Sequence, residues 1–544
     1  MATLVATLTF LVGPAPGSAA GTGGSLSATP TRVRPGGLIT LSGTVPPHRE
    51  RPVLLQRRRG TSWVTMASRH TGPHGGFTFR TVAFATSTTY RVLAPRARIG
   101  SHTYAAVHTP SRRVTTVQRS TPFVRRVSSN GRYFLDQHGR PILIKGDSPW
   151  AILVNASRAQ MDMYVSVRDD QGFNTVLVSL LGNTVNGGPS DSGATYDGVR
   201  PFVNGNPGRL NPTYWNRVAH FLAKCRAAGI TVMAYPLDGW TGTAHSSGIG
   251  RSWSDATARR YGAAVAARLH GYENVIWSVG GDYSPWDGAN SRFRSVLAGL
   301  AAGGMNRTTT IQLIADSTSL ESSYWDEKVD FNFVYSYALT YAMVQRGYRQ
   351  TNPSGHHLPA LLGETHYEAY QDVTDLYLRS MAAWALTSGS PGEFYGSEDV
   401  WQMPPRRSAL QTRAVAQLSA LRRAFQRQSG WQRLVPDFSS TFITAGRGTK
   451  GNATDDYFPG DTGGSYVTGS RTPDGRLAVI YLPDATQQIT IDQSKMGPGY
   501  TARWVDPTNG NTIGATEGAT YARNAPHADG ADDWLLVLTA TRSR

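Results

Sequence analysis

The sequence predicts a multidomain chain in which a central (β/α)₈ TIM barrel is flanked by an N-terminal and a C-terminal β-sandwich. Three observations carry that expectation. At 544 residues the chain exceeds what one core organises, and its length suggests three or four domains. From about residue 121, apolar strands alternate with amphipathic helices, the signature of βα units feeding a parallel sheet. On either side, short alternating runs separated by Pro, Gly and Ser mark all-β segments. The boundaries expected are 1–24 for an export signal, 25–120 and 438–544 for the two sandwiches, and 121–437 for the barrel.

The first residues, Thr3 to Val12, form a short apolar run, and small residues follow, ending Gly17-Ser18-Ala19-Ala20. This pattern suits the core and cleavage region of a signal peptide, although no basic segment precedes it. No other apolar run is long enough for a bilayer, so the expectation is a secreted, extracellular protein. Between 25 and 118, Gly43-Thr44-Val45, Val53-Leu54-Leu55-Gln56, Phe77-Thr78-Phe79 and Thr89-Tyr90-Arg91-Val92 read as strands at sandwich spacing. The stretch from Leu55 to Trp63 resembles the Ig-like modules common in exported bacterial proteins. This segment also holds nearly all the excess charge. Residues 1–130 contain 17 Arg, no Lys and one acid, Glu50, so they carry +16 of the chain's +17. Such a surface can attract anionic polymers, whether acidic polysaccharide, cell-wall polymer or nucleic acid. The plainer reading is a hydrated surface in a chain that uses 49 Arg against 5 Lys.

The barrel strands are expected at Ile142–Lys145, Thr175–Leu180, Thr231–Tyr235, Val275–Val279, Thr309–Ile314, Phe331–Tyr335, Ala360–Leu362 and Glu393–Tyr395. Helices are expected at 158–170, 213–228, 254–269, 291–303, 373–387 and 408–427. A long loop rich in Gly, Asn, Ser and Pro, Asn183 to Pro212, follows the second strand on the face where such barrels place their active sites. Beyond Leu434-Val435-Pro436 the chain turns β-rich, with Leu477–Leu482 and Trp534–Leu538 the clearest strands.

Several chemistries are excluded. No Lys is followed by Ser or Thr, so there is no Walker A loop, and no His is followed by Glu, so there is no His-Glu-x-x-His zinc motif. A single cysteine, Cys225, on a helix-like stretch, rules out an intramolecular disulfide and thiolate metal clusters, and no cofactor or metal is called for. What remains is acids at strand ends. The fourth strand ends Gly280-Gly281-Asp282, and the seventh ends Leu362-Gly363-Glu364. Two carboxylates flanking a barrel mouth can straddle a glycosidic bond, one protonating the leaving oxygen while the other attacks the anomeric carbon or activates water. Asp282 and Glu364 are therefore the catalytic candidates, although a lone acid after glycine is more often a cap or turn residue. The two glycines at 280 and 281 permit close backbone approach or unusual dihedrals. Around these acids, Trp150, Trp240, Tyr283, Trp286, Tyr335, Tyr337, Tyr367, Tyr395 and Trp401 offer rings on which sugars stack. Asp147, Asn183, Asp238, Glu368 and Asp399 offer hydrogen-bonding groups for hydroxyls, and Glu368 is a reserve nucleophile. Each aromatic taken alone is more often core; the clustering is the signal.

At these residues the chain resembles the apiosidase-like glycoside hydrolases of family 140 and relatives. The resemblance runs from Tyr133-Phe134-Leu135-Asp136 and Gly146-Asp147-Ser148-Pro149-Trp150 through Gly172-Phe173-Asn174-Thr175 and Trp277 to Asp282. It continues at Gly363-Glu364 with Tyr367-Glu368 and at Leu434-Val435-Pro436. It ends in Trp504-Val505-Asp506-Pro507 and Asp533-Trp534, similar to the family's collagen-binding-like sandwich. The resemblance implies Asp282 as acid/base and Glu364 as nucleophile of a retaining mechanism, with a raised pKa on Asp282 and an ionised Glu364. It implies a plant or bacterial polysaccharide substrate, apiosidic or another furanoside of arabinan type. Thr365-His366 and Tyr335-Ser336-Tyr337 depart from the pattern at the subsites. The rival reading is a non-catalytic carbohydrate- or cell-wall-binding protein, in which one acid would usually have been lost.

Overall fold

The computed structural model describes residues 21–33, 38–83, 87–116, 121–243, 247–401, 404–453, 463–527 and 530–541, and of Val82 and Trp286 the backbone alone. The chain divides into two compact units, 1–120 and 121–544. The apolar run read as an export signal lies outside the described residues. Gly21–Thr22 already pair in parallel with Val107–His108, so sheet structure starts ahead of the expected boundary at 25.

The N-terminal unit has one larger sheet, one three-stranded sheet and a two-stranded hairpin, Ala97–Ile99 with His102–Tyr104. The strand Thr88–Ala94 alternates buried and half-buried residues, as a strand with one covered face must. Tyr90, Val92 and Ala94 from it meet Leu26, Leu41, Phe77 and Phe79 from the smaller sheet in one core.

The second unit is built on eight parallel strands: β1 Ile144–Asp147, β2 Thr175–Ser179, β3 Thr231–Tyr235, β4 Val275–Tyr283, β5 Thr309–Leu313, β6 Asn332–Tyr335, β7 Ala360–Glu364 and β8 Gly392–Tyr395. They order as β5-β4-β3-β2-β1-β8-β7-β6, so the first and last strands in sequence lie side by side and the sheet curls into a nearly closed barrel. The remaining seam, between β5 and β6, is crossed by Asp330 N–H donating to Thr309 O and by Thr310 Oγ1 donating to Phe331 O. Ile144, Leu177, Met233, Ile276, Phe333, Leu361 and Phe394 fill the interior. The core is thus TIM-barrel-like with additional sheets attached.

Around it lie α1 Arg158–Asp170, α2 Pro212–Ala228, α3 Asp255–Leu269, α4 Asn290–Ala302, α5 Thr340–Arg349, α6 Asp375–Thr387 and α7 Arg413–Gln426. Several carry the caps their sequences specify. Ser157 and Gln160 form a capping box at α1, Asn211 caps α2 ahead of Pro212, and Gly229 ends α2 at a φ of 76°. Two elements differ from expectation. β1 begins two residues late, because Pro141–Ile142 pair instead with Phe134–Leu135 in a small antiparallel sheet. Between β5 and β6 no helix was expected and none is found. That crossover is a two-residue strand, Ser317–Thr318, antiparallel to β6, and a helical turn, Ser319–Glu321. Its sequence, rich in Ser and acids, lacks the 3.6-residue apolar period a helix would need. The helix α5 was not expected.

After the barrel come a six-stranded and a three-stranded antiparallel sheet. Strand Leu477–Leu482 is buried on both faces. Ala478, Ile480 and Leu482 face the smaller sheet, whereas Leu477, Val479 and Tyr481 pack on α6 and α7. Among the described residues no helix is long and apolar enough to cross a membrane.

Candidate active site

Successive residues of a strand point to opposite faces, so parity decides which strand-end side chains reach a barrel's mouth. On β7, Leu361 points inward and Leu362 outward. Regular alternation would then send Gly363 inward and Glu364 out to the helices. A β-bulge prevents this. Val334 pairs with Leu362, but Tyr335 pairs with Glu364, so Gly363 and Glu364 together oppose one residue of β6 and Glu364 shares the inward face of Tyr335. Gly363 is required there, because a Cβ would stand 2.3 Å from the Phe333 ring.

A larger irregularity ends β4. Gly280 pairs with Gln312 and Tyr283 with Leu313, leaving Gly281 and Asp282 extruded between them. Gly280, Gly281 and Asp282 all take positive φ, at 82°, 94° and 49°. A Cβ on Gly280 would lie 2.1 Å from the Gln312 carbonyl oxygen, so only glycine fits. Asp282 pays a conformational cost to stand there, and such strain is held only where the surroundings over-determine it. Both glycines expected to permit unusual backbone beside the acid do so.

The two bulges bring Asp282 and Glu364 to one cavity. Trp150, Trp240, Tyr335, Tyr337, Tyr367 and Trp401, all aromatics expected to bind substrate, line it with them. Asn186, Tyr370 and Glu398 complete the wall and were not anticipated. Asn186 and Tyr370 sit in loops, where no periodicity marks a residue as inward.

Glu364 is buried and held by two relays. Tyr235 O–H donates to Gln312 Oε1 at 2.6 Å, which fixes the amide so that its Nε2 donates to Glu364. Trp150 Nε1–H donates to Tyr367 Oη at 2.9 Å, and the Tyr367 hydroxyl hydrogen-bonds Glu364. Gln312 is a polar residue on the inward face of β5 that the sequence reading passed over; its parity within Thr309–Leu313 was the available signal. Burial, then the neighbouring Asp282 charge, pushes the Glu364 carboxyl up to about 8, against the pull of Tyr367 and Gln312. Asp282 opens onto the cavity and hydrogen-bonds Tyr335 and Trp240; partial burial raises its pKa as well. The Tyr335 hydroxyl is 3.0 Å from that of Tyr337. Both acids are thus shifted upward, and the expectation that Glu364 simply stays ionised does not describe the free cavity. The pair titrates as a unit that holds one proton near neutrality.

The other candidates do not line the cavity. Asp147 points outward from β1 and is sealed by Tyr164 and by Arg168 Nε at 2.6 Å. Tyr395, outward on β8, donates to Glu368, which also accepts from Thr412 Oγ1 at 2.9 Å. Tyr283 packs edge-on against Phe293 of α4. Asp399 is exposed on the surface, with Arg406 at 3.8 Å. In each of the first three cases ordinary strand parity turns the side chain toward the helices. Asn183 and Asp238 form a supporting layer. Asn183 Oδ1 accepts the Asn186 N–H at 2.8 Å. Asp238, fully buried, accepts from Ser179, from Asn186 Nδ2 at 3.2 Å and from Thr241 N–H at 2.8 Å. It thereby anchors both Asn186 and the helical turn Gly239–Gly242 that carries Trp240.

Comparison with known proteins bears on the family and the fold. The family described as apiosidase-like, catalytic domain, matches residues 128–433. No curated protein matches the chain. Among solved structures, one described as a glycoside hydrolase superposes with a TM-score of 0.64 at 18% identity, covering 77% of this chain and 97% of its own. A glycoside hydrolase family 5 protein from Bacteroides vulgatus superposes with a TM-score of 0.61 at 18% identity, covering 77% of this chain and 94% of its own. At such identities these likenesses speak to the fold alone.

Proposed function

The chain belongs to the apiosidase-like family of glycoside hydrolases, and from that premise we propose that it is a secreted, retaining enzyme cleaving apiosidic or other furanosidic bonds, such as those of arabinan-type polymers, in plant or bacterial polysaccharide. The observation that carries the reading is the pair of bulges turning Asp282 and Glu364 into one aromatic-walled cavity.

Glu364, gripped by Gln312 and Tyr367, serves as nucleophile once the single proton of the pair resides on Asp282. Its oxygen attacks the anomeric carbon while Asp282 gives its proton to the departing glycosidic oxygen, leaving a glycosyl ester on Glu364. Asp282 then takes a proton from water, which attacks the same carbon and releases the sugar and the Glu364 carboxylate. Asp282 suits the acid/base role because it opens onto the cavity, where leaving group and water exchange. Trp150, Trp240 and Trp401 stack on sugar rings, and Asn186 and Glu398 meet hydroxyls.

The roles separate experimentally on an activated aryl furanoside. Asp282→Ala is expected to retain hydrolysis of a substrate whose leaving group needs no proton, and added azide should accelerate it and yield a glycosyl azide. Glu364→Gln is expected to lose at least 10³-fold in kcat with no azide rescue of that kind. Equal loss in both variants without azide product, or NMR showing inverted anomeric configuration, overturns the assignment.

A further inference from the structure

Residues 21–120 hold fifteen arginines, no lysine and one acid, Glu50, so a single carboxylate of the unit answers all of those charges. One arginine is structural. Arg51 is buried and donates to the carbonyls of Pro46 at 2.8 Å, Pro95 at 2.5 Å and Ala105 at 3.2 Å.

Others gather on one face. Directly paired residues of neighbouring strands project to the same side of a sheet. In the larger sheet Arg58 pairs with Trp63, Gln56 with Arg91, and Thr89 with Arg113. These residues stand opposite the side on which Val53, Leu55, Tyr90, Val92 and Val114 form the core. The Arg91 guanidinium lies 4.3 Å from the Trp63 ring centroid, and its Nε donates to Gln56 Oε1 at 2.8 Å. The ring and one cation are therefore ordered before any ligand arrives, which lowers the entropy cost of binding. Trp63 is half-buried with Arg58 exposed beside it, and Arg113 is exposed farther along the same face. The strands of Arg58 and Arg113 are two apart in the sheet, a separation of about 10 Å.

We propose that this face is a binding platform for an anionic polysaccharide of uronic-acid type, distinct from the hydrolytic cavity. Trp63 supplies the ring against which the C–H face of a sugar stacks. Arg58, Arg91 and Arg113 supply planar forks that pair with carboxylates along the chain. A ring held among arginines would also stack nucleic-acid bases; the choice of a carbohydrate polyanion rests on the glycoside hydrolase reading of the same chain. The platform would keep the enzyme on acidic polymer while the barrel cleaves neutral side chains.

The test uses the full chain and its Trp63→Ala and Arg58→Ala/Arg113→Ala variants, with polygalacturonate, neutral arabinan and a single-stranded oligonucleotide as probes in affinity electrophoresis and calorimetry. Polygalacturonate should bind at low salt and release as NaCl rises to about 0.5 M, as screening of exposed charges requires. Each variant should bind it at least 10-fold more weakly, with the thermal midpoint and the hydrolysis of a small aryl glycoside unchanged. Undiminished binding in the arginine pair variant overturns the proposal. So does equal binding of arabinan, or oligonucleotide binding as tight as that of polygalacturonate and indifferent to Trp63→Ala.

Discussion

Glu364 is an acid kept where an acid is least comfortable. Between its ordinary pKa of 4.5 and the value of about 8 it takes in the free protein, the folded state binds a proton that the unfolded chain has released. Stability from this group is therefore present below about pH 4.5 and is lost as pH rises through 8. Glu364→Gln removes the charge and keeps the shape. The variant is expected to be more stable than the wild type at pH 8 by a few kcal/mol and to differ little from it at pH 4.5, as followed by calorimetry across that range. A midpoint difference independent of pH would mean that the carboxylate is not strained by its surroundings. The same titration governs turnover. The active species carries one proton on the pair, so kcat/KM should be bell-shaped, with its alkaline limb near pH 8. Asp282→Asn should lower the pKa of Glu364 by removing the neighbouring charge that helps raise it, a change visible in the titration of that group by NMR.

At the scale of elements, the site is made by departures from regular strand geometry. Gly280 is its most constrained residue: its φ is 82° and a Cβ would meet the Gln312 carbonyl at 2.1 Å. Gly280→Ala should force β4 away from β5, displacing both Asp282 and the Gln312 amide that holds Glu364. The expected outcome is a folded but less stable protein, with kcat reduced at least 100-fold and KM changed far less. A variant of wild-type activity would show that the bulge does not set the carboxylates. The same geometry explains what could be read in advance. The strands and most helices of the barrel were legible because apolar periodicity and caps such as Ser157 and Asn211 mark them. The acids after glycines were legible as candidates. Asp147, Tyr283 and Tyr395 sit equally at strand ends, yet parity turns them to the helices, and a sequence does not state the register that parity depends on. Gln312 was missed although its place between the outward-facing Ile311 and Leu313 marks it as inward. The helix α5 was missed because Gly347, Val344 and its tyrosines lower its helix propensity, although its apolar residues keep a helical period and Met343 and Val344 pack against β6 and β7.

The barrel and the C-terminal sheets share their interior. Leu477, Val479, Tyr481, Leu535 and Val537 lie in one apolar cluster with Leu378, Met381 and Trp384 of α6 and Leu418 and Leu421 of α7. Through that cluster runs a buried polar bridge. Arg379 of α6 donates to Asp533 and, at 2.5 Å, to Gln417 of α7, while the Tyr481 hydroxyl donates to Asp533 at 3.2 Å. Both charges are almost completely inaccessible to water. Removing one partner of such a pair strands the other, at about 3–5 kcal/mol, whereas replacing both with apolar groups costs little or nothing. Asp533→Ala should therefore lower the melting temperature of the second unit by roughly 5 °C, and a second substitution, Arg379→Met, should restore much of the loss. Because the cluster spans barrel and sheets, both should melt in one calorimetric transition that shifts as a whole, while a transition belonging to residues 21–116 stays where it was. If the C-terminal sheets instead melted separately, with the barrel and its hydrolytic activity intact above that temperature, the shared core would not be coupling them, and the bridge would be an ornament of the interface instead of its keystone.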